Sequence, residues 1–134
     1  PYRYKASTSQ PQAAAAEVAG RAGSIAAQTR QRLVGVVENM SWFVQPDGSR
    51  VEVFGSGGGV QVAANLSRLT GAEVPLLAQV PVEVVVREGG DSGVPVVLGS
   101  PDSAAGTALR EVAQALSVRS RGLAGKPLGL TPLS

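Results

Sequence analysis

The feature that most constrains the fold is the apolar run at residues 33–37, which ends abruptly on the polar pair Glu38-Asn39. A short apolar run rich in β-branched residues is typical of a strand buried on both faces. In an open parallel sheet, ligands bind outside the carboxyl ends of the strands. Asn39 is therefore placed to read a base or a phosphate, because its amide offers two donors and an acceptor. The alternative is that Asn39 only ends the strand and bonds local backbone, as Asn does in turns.

Helical and strand patterns alternate on either side of this run. Residues 12–30 are rich in Ala and predict a helix with apolar residues at helical spacing: Ala15, Val18, Ala19, Ala22, Ile25 and Ala26. Residues 60–70 predict a second helix that ends at Gly71, and residues 74–81 predict a second strand. Because parallel strands need a long crossover connection, this helix would join the two strands. The alternation predicts an α/β layer fold.

A hairpin and a glycine-rich segment are predicted between the first strand and the second helix. Two short apolar runs, at residues 42–44 and 51–54, flank the turn sequence Pro46-Asp47-Gly48. Residues 55–59 then read GSGGG. This segment either gives the helix a flexible start or contacts an anion or a partner. It is not a P-loop, because Gly-Lys-Ser and Gly-Lys-Thr are absent from the 134 residues.

The rest of the chain is predicted to be less regular. Residues 87–93 contain glycines and Asp and predict a turn. Residues 94–98 predict a short edge strand or an extended connector. Ser100-Pro101-Asp102 predicts the start of a helix that runs to about residue 118, with Ser100 as its N-cap. Residues 1–10 are polar and predict irregular structure, and residues 119–134 predict a flexible tail.

The composition argues against several classes of protein. The chain has no Cys and no His, so it forms no disulfide and lacks the usual soft ligands of zinc and iron–sulfur clusters. The net charge is +2 and the basic residues are scattered, which argues against a nucleic-acid interface. No apolar run approaches the roughly 18 residues of a membrane-spanning helix, and the N-terminus does not read as a secretory signal.

Several segments, taken together and in order, resemble the Mrp/ApbC family of P-loop ATPases, which are related to MinD and carry iron–sulfur clusters. The segments are VVENMS at residues 36–41, FGSGGG at 54–59, PLLAQVP at 75–81, REGGDSGVP at 87–95 and PDS at 101–103, preceded by PQ at 11–12, EVA at 17–19 and RAG at 21–23. The resemblance covers roughly residues 9–118. No one segment is specific, and it is their common order that carries the resemblance.

The resemblance implies a partial P-loop NTPase (Rossmann-like) three-layer α/β fold with a short parallel sheet and a hairpin excursion. The chain would be the C-terminal half of the ATPase domain, because the phosphate-binding loop and the magnesium-binding carboxylates of the family are not in it. Residues 11–118 would form that half, between the irregular residues 1–10 and the tail at residues 119–134. The resemblance also implies a short helix and turn at residues 87–93, near the nucleotide and the dimer face.

The function implied by the resemblance is that of an ATP-binding iron–sulfur cluster carrier. Asn39 and Pro81, with Val82, would flank the adenine of ATP, although from the residues alone Pro81 is a strand terminator. No catalytic or metal-binding residue is predicted, and the chain alone is not expected to hydrolyse ATP. The resemblance further implies a cytoplasmic homodimer that delivers clusters to iron–sulfur acceptor proteins, with no nucleic-acid or membrane partner.

One departure from the family concerns the cluster itself. The family's hairpin usually carries Cys-Pro-x-Cys, and two subunits pool these cysteines to hold a bridging cluster. Here Gln45 and Gly48 stand at the two cysteine positions, and neither can replace a thiolate. The alternative hypothesis is therefore a non-catalytic dimerisation or interaction module that uses the Trp42-Phe43 hairpin as its contact surface.

Overall fold

The computed structural model describes residues 5–9 and 13–121. The elements in chain order are β1 (Lys5–Ser9), α1 (Ala13–Gln28), β2 (Leu33–Val44), β3 (Arg50–Val51), α2 (Gly58–Thr70), β4 (Leu76–Val82), α3 (Val84–Ser92), α4 (Val96–Gly99) and α5 (Ala104–Arg121).

The central strand of the sheet is β2. It pairs in parallel with β1 on one side and with β4 on the other, and its last residues pair antiparallel with β3. The predicted crossover is confirmed, because α2 lies between β2 and β4 in the chain. The predicted hairpin is also confirmed, with Phe43 opposite Val51, although its second arm is only two residues long. The sheet is mixed and has four strands in the described residues, where two or three parallel strands were predicted.

The three-layer prediction is confirmed by two separate cores on the two faces of the sheet. Val36 is fully buried in a core with residues of α1 and α2, whereas the next residue, Val37, lies in a second core with Ala105 and Ala108 of α5. Successive strand residues point to opposite faces. Helices cover both faces, which explains why the run at the start of β2 is apolar without alternation.

Helix α1 packs through its smallest residues. Ala19 and Ala26 are buried on either side of Gly23, which contacts Leu66 of α2. Val18 and Ile25, which belong to the predicted apolar spacing, are 64% and 59% exposed. The apolar residues of α1 lie on several sides of the helix, so their pattern alone does not indicate which face is buried. The buried face is the one that packs against α2, because α2 approaches α1 closely only where α1 has no large side chain.

The N-terminal segment departs from the irregular structure predicted for residues 1–10, because Lys5–Ser9 form the strand β1. Ala6 to Ser9 pair in register with Gly35 to Glu38 of β2. The local sequence is a poor strand, and it is the backbone pairing with the buried β2 that stabilises it. Residues 10–12, which include the PQ segment of the family resemblance, lie outside the described residues.

Two segments before the last helix are helical where the residues predicted other structure. Residues 84–92 form α3, which ends at Gly93 with φ of 73°. The prediction of a turn from the residues is therefore wrong, and the short helix implied by the family resemblance is correct. The predicted edge strand or connector at residues 94–98 is also wrong. Pro95 is the N-cap of the single turn α4 there, and its carbonyl oxygen accepts the N–H groups of Leu98 and Gly99.

The last helix begins later than predicted. The residue that caps α5 is Ser103, whose Oγ accepts the Gly106 N–H at 3.0 Å. Ser100 instead closes the preceding turn, because its carbonyl accepts the N–H and the hydroxyl of Ser103. The Glu83 carboxyl group also accepts the Ala105 N–H at 2.6 Å. Helix α5 continues to Arg121, so it includes the first residues of the predicted tail, and residues 122–134 lie outside the described residues.

None of the helices in the described ranges is long and apolar enough to cross a membrane.

The close approach of α1 and α2 yields a prediction with an internal control. A Cβ added at Gly23 would lie 2.0 Å from Leu66 Cδ2, and Leu66 is only 1% exposed, so its side chain has little room to move. We expect Gly23→Ala to lower the free energy of unfolding by about 1–3 kcal/mol through overpacking, even after the gain in helix propensity. A Cβ at Gly20 meets nothing within 4 Å, so Gly20→Ala should instead add up to about 1 kcal/mol.

Urea unfolding of the two variants and the parent chain measures both effects. Equal stabilisation by the two substitutions would contradict the packing that we describe between α1 and α2.

Candidate functional site

Pro81 and Val82 are the last two residues of β4, and Asn39 ends the first part of the neighbouring parallel strand β2, before the register between the two strands shifts. Asn39 of β2 is the register partner of Val80 of β4, which directly precedes Pro81 and Val82. Asn39 is exposed, Pro81 is buried and Val82 is half-buried. The structure therefore brings the three residues to the same edge of the sheet, with one exposed amide beside two apolar side chains.

The side chain of Asn39 is oriented by the backbone of the next residue. Its Oδ1 accepts the Met40 N–H at 2.9 Å. The amide nitrogen has no hydrogen-bond partner within the described residues, and the residue as a whole is exposed. A carbonyl oxygen has two lone pairs, so Oδ1 can accept a second bond while it holds this one. Asn39 can therefore donate and accept at once toward a ligand, and it also forms the local bond that the alternative interpretation predicted.

The backbone at Met40 is left-handed, with φ of 59°. This conformation is unfavourable for a residue with a side chain and costs about 1–3 kcal/mol. The register between β2 and β4 shifts between Asn39 and Phe43, so this residue marks an irregularity that divides β2 into two parts. The first part lies between two parallel strands, and the second part forms the hairpin. The strained residue thus directly follows the predicted ligand-reading side chain.

Glu38 is the most deeply buried acidic residue at this edge, with 1% exposure. One carboxyl oxygen accepts the Gly59 N–H at 2.9 Å, and the other accepts from the side-chain amide of Gln79 at 2.5 Å. The carboxyl group therefore joins β2, the first turn of α2 and β4. No role was predicted for Glu38 from the sequence. The sequence feature that could have indicated a role is an acid directly after an apolar run. A carboxyl group that is buried there needs hydrogen-bond donors from other elements.

The glycine-rich segment has a specific role at the start of α2. A Cβ at Gly59 would lie 2.8 Å from the Glu38 Cβ and 2.9 Å from Leu76 Cδ1, so only glycine fits there without displacing its neighbours. Gly57 has φ of 81°, a conformation that favours glycine. Helix N-termini attract negative groups, and here the chain's own carboxyl group occupies that position.

The tip of the hairpin is held together by its own polar groups. The Gln45 N–H donates to the Ser49 carbonyl at 2.9 Å, and the Gln45 side-chain amide donates to the Ser49 hydroxyl at 3.0 Å. Asp47 accepts the Ser49 N–H and hydroxyl at 2.8 and 2.6 Å. The hydrogen bonds from Ser49 lower the pKa of the Asp47 carboxyl group from its ordinary value of 3.8. On the strand that leads out of the tip, the Arg50 guanidinium lies 4.2 Å from the ring centroid of Trp42.

The residues of the hairpin do not fit an iron–sulfur cluster. The chain contains no Cys and no His. Gln45 is bonded to Ser49, and Gly48 has no side chain to offer. No group of three or more His, Cys, Asp or Glu side chains that could hold a metal ion occurs in the described part of the chain. Thiolates for a cluster would therefore have to come from outside these 134 residues.

A cleft of about 590 Å³ is present at the other end of the sheet. It lies where α1 and α2 end and β2 begins, and it is lined by Ala27, Arg30, Gln31, Arg32, Leu33, Leu69, Thr70, Ala72 and Glu73. None of the predicted site residues contributes to it.

Solved structures with a similar fold include MinD ATPases. The chain matches the cell division ATPase MinD of Pyrococcus furiosus with a TM-score of 0.60 and 21% identity, covering 83% of this chain and 40% of that chain. It matches MinD of Pyrococcus horikoshii, solved with Mg-ADP, with a TM-score of 0.61 and 19% identity, covering 88% and 42%. At these identities the likeness establishes the fold, which is that of the MinD-type P-loop NTPases.

The family is established by a match to the family model described as ParA, NUBPL iron-transfer P-loop NTPase, over residues 6–117. The chain belongs to this family, which confirms the resemblance to the Mrp-type ATPases related to MinD.

Relatives of the chain carry names that agree with this family. It is 63% identical over 122 residues to the "Iron-sulfur cluster carrier protein" of Mycobacterium tuberculosis H37Rv, covering 91% of this chain and 32% of that protein. The Mycobacterium leprae protein of the same name is 61% identical over the same length. The "Iron-sulfur protein required for NADH dehydrogenase, mitochondrial" of Arabidopsis thaliana is 37% identical over 107 residues. The chain spans about a third of the length of these relatives.

The hydrogen bonds at the hairpin tip yield a prediction about Asp47. Its native pKa is lower than 3.8, so these bonds stabilise the chain above pH 3.8, and their contribution is lost as the pH falls through the native pKa. We expect Ser49→Ala to raise the pKa of Asp47 toward 3.8, because the side-chain bond is lost while the bond from the Ser49 N–H remains. Carboxyl ¹³C NMR titration measures this shift. Ser92→Ala, on α3, is the control, and an unchanged Asp47 pKa in Ser49→Ala would contradict the assignment.

Proposed function

We propose that this chain forms the adenine-binding part of an ATP-dependent iron–sulfur cluster carrier, with Asn39, Pro81 and Val82 contacting the base. The observation that carries the proposal is the exposed amide of Asn39 beside Pro81 at the carboxyl edge of two parallel strands. Ligands bind at that edge in open α/β sheets. Membership of an iron-transfer P-loop NTPase family supports ATP as the ligand.

Each residue has a role that follows from its chemistry. The Asn39 amide donates to a ring nitrogen of adenine, and its oxygen accepts from the exocyclic amine. Pro81 and Val82 provide apolar surface against the base. The phosphates and magnesium need a P-loop, whose Gly-Lys-Ser or Gly-Lys-Thr is not in these 134 residues. The chain alone is therefore expected to bind ATP weakly through the base and not to hydrolyse it.

The iron–sulfur cluster is the cargo of the proposed carrier rather than a group held by this chain. The hairpin offers no thiolate, so the cluster would be held by cysteines outside these residues, and this chain would supply the base end of the nucleotide site. The relatives are named as cluster carriers. These names support the proposal that the carrier transfers clusters to iron–sulfur acceptor proteins. We further propose a homodimer that works in the cytoplasm.

The test is calorimetric titration of the chain with magnesium-ATP. We expect saturable binding that becomes at least about fivefold weaker in Asn39→Ala, because one or two hydrogen bonds to the base are lost. Asn65→Ala is the matched control: Asn65 is also exposed, but it lies on the surface of α2 and bonds Arg68 and Gln61. We expect this control to bind ATP like the parent chain. Absence of heat at millimolar ATP, or equal binding by Asn39→Ala, would contradict the proposal.

A second candidate function is a non-catalytic interaction or dimerisation module at the hairpin. Trp42 and Phe43 are half-buried, so the fully exposed aromatics that would favour this candidate are not present at these two positions. Val51 and Val53, however, are 40% and 60% exposed there, which favours this candidate. If the chain self-associates without binding ATP, and Val53→Lys abolishes the association in sedimentation velocity, this second function replaces the first.

A further inference from the structure

The burial of Glu38 requires a specific arrangement of donors around it. Glu38 and Ser41 are the buried polar residues in the described part of the chain. A carboxyl group in an apolar interior is costly unless both of its oxygens find donors. Here the donors come from residues 21 and 41 positions further along the chain, so the arrangement exists only in the folded protein.

The same residue is held through its backbone as well as through its side chain. The Glu38 carbonyl oxygen accepts the hydroxyl of Ser41, itself buried, at 3.1 Å. This bond spans Asn39 and Met40, so it closes the left-handed bend between the two buried residues. The side-chain bonds to Gly59 and Gln79 fix one end of the bend, and the bond to Ser41 fixes the other.

The exposed side chain of Asn39 depends on this bend for its direction. Within the described residues its only hydrogen bond is the one from the Met40 N–H, whose direction is set by the left-handed backbone. No other hydrogen bond among the described residues holds the amide in place. The direction of Asn39 therefore follows from the backbone of residues 38–41, and that backbone follows from Glu38.

We infer that Glu38 is a positioning residue for base recognition: its carboxyl group anchors the bend at Asn39-Met40 to α2 and β4, so that the Asn39 amide faces the base. This inference rests on the proposed function, because it assumes that Asn39 contacts adenine. Glu38 itself touches no ligand.

The roles of size and hydrogen bonding at this position can be separated with two substitutions. Glu38→Gln keeps the size of the side chain, and its amide can bond both partners if the Gln79 amide rotates to accept. Glu38→Ala leaves the Gly59 N–H and the Gln79 amide without their buried acceptor. We therefore expect Glu38→Gln to preserve the bend and Glu38→Ala to release it.

The experiment compares the affinities for magnesium-ATP and magnesium-GTP by calorimetry. We expect the parent chain to prefer ATP, Glu38→Gln to keep that preference within about twofold, and Glu38→Ala to reduce it by about fivefold or more. Glu73→Ala, an exposed acid at the opposite end of the sheet, is the control and should retain the preference of the parent chain. Loss of folded protein lowers the number of sites for both nucleotides equally, so a purely structural role leaves the ATP/GTP ratio unchanged.

Gln79→Ala keeps the experiment decisive if Glu38→Ala does not fold. It removes one of the two donors and should reduce the preference for ATP by about twofold to threefold. In parallel, the side-chain amide resonances of Asn39 in ¹H–¹⁵N spectra should move in Gln79→Ala and stay in place in Glu73→Ala.

The outcomes distinguish the inference from the proposed function. If the parent chain does not bind ATP, or Asn39→Ala binds ATP with unchanged preference, both are overturned. If Asn39→Ala loses the preference while Glu38→Ala and Gln79→Ala keep it, the proposed function stands and the positioning role of Glu38 is overturned.

Discussion

The hydrogen bonds of the buried Glu38 carboxyl group are the interaction on which the arrangement of the central elements depends. They can form only when the middle of β2, the first turn of α2 and β4 meet at one point. This requirement explains why glycine occupies position 59, where the helix start and the Glu38 side chain approach too closely for a Cβ. A single acid thus specifies how the crossover connection returns to the sheet, because any other register leaves it buried without donors.

Elements with a strong local pattern could be predicted from the sequence, and elements stabilised mainly by their neighbours could not. The apolar run of β2, the helix α2 with its C-terminal Gly71, and the Asp47-Gly48 turn each contain their own signal. Strand β1 does not, because Lys5–Ser9 are polar and are stabilised by pairing with β2. Helix α1 was predicted from its Ala-rich sequence, but the exposure of Val18 and Ile25 was not, because it follows from the close approach of α2 to Gly23.

The proximity of Asn39 to Pro81 and Val82 could be predicted for a general reason. Carboxyl ends of neighbouring parallel strands lie at the same edge of a sheet, so two polar or unusual strand ends in a βαβ unit come together. The bend at Met40 could not be predicted, because a methionine gives no sign of a left-handed backbone. The donors to Glu38 lie far away in sequence, and only the sheet and the crossover bring them together.

A cluster-binding loop needs both a turn of a given shape and side chains that can bind the cluster. In this hairpin the shape of the turn does not depend on such side chains. The shape depends on Gly48, with its φ of 81°, and on the bonds between Asp47 and Ser49. Neither the backbone of Gly48 nor the bonds between Asp47 and Ser49 require a thiolate, so the turn forms with Gln45 at the position where the family resemblance places a cysteine. The edge of the sheet at Asn39, by contrast, is held by the hydrogen bonds of Glu38. We therefore expect the turn of the hairpin to be independent of thiolate ligands, and we expect removal of the Glu38 carboxyl group to alter both this edge and the proposed nucleotide site.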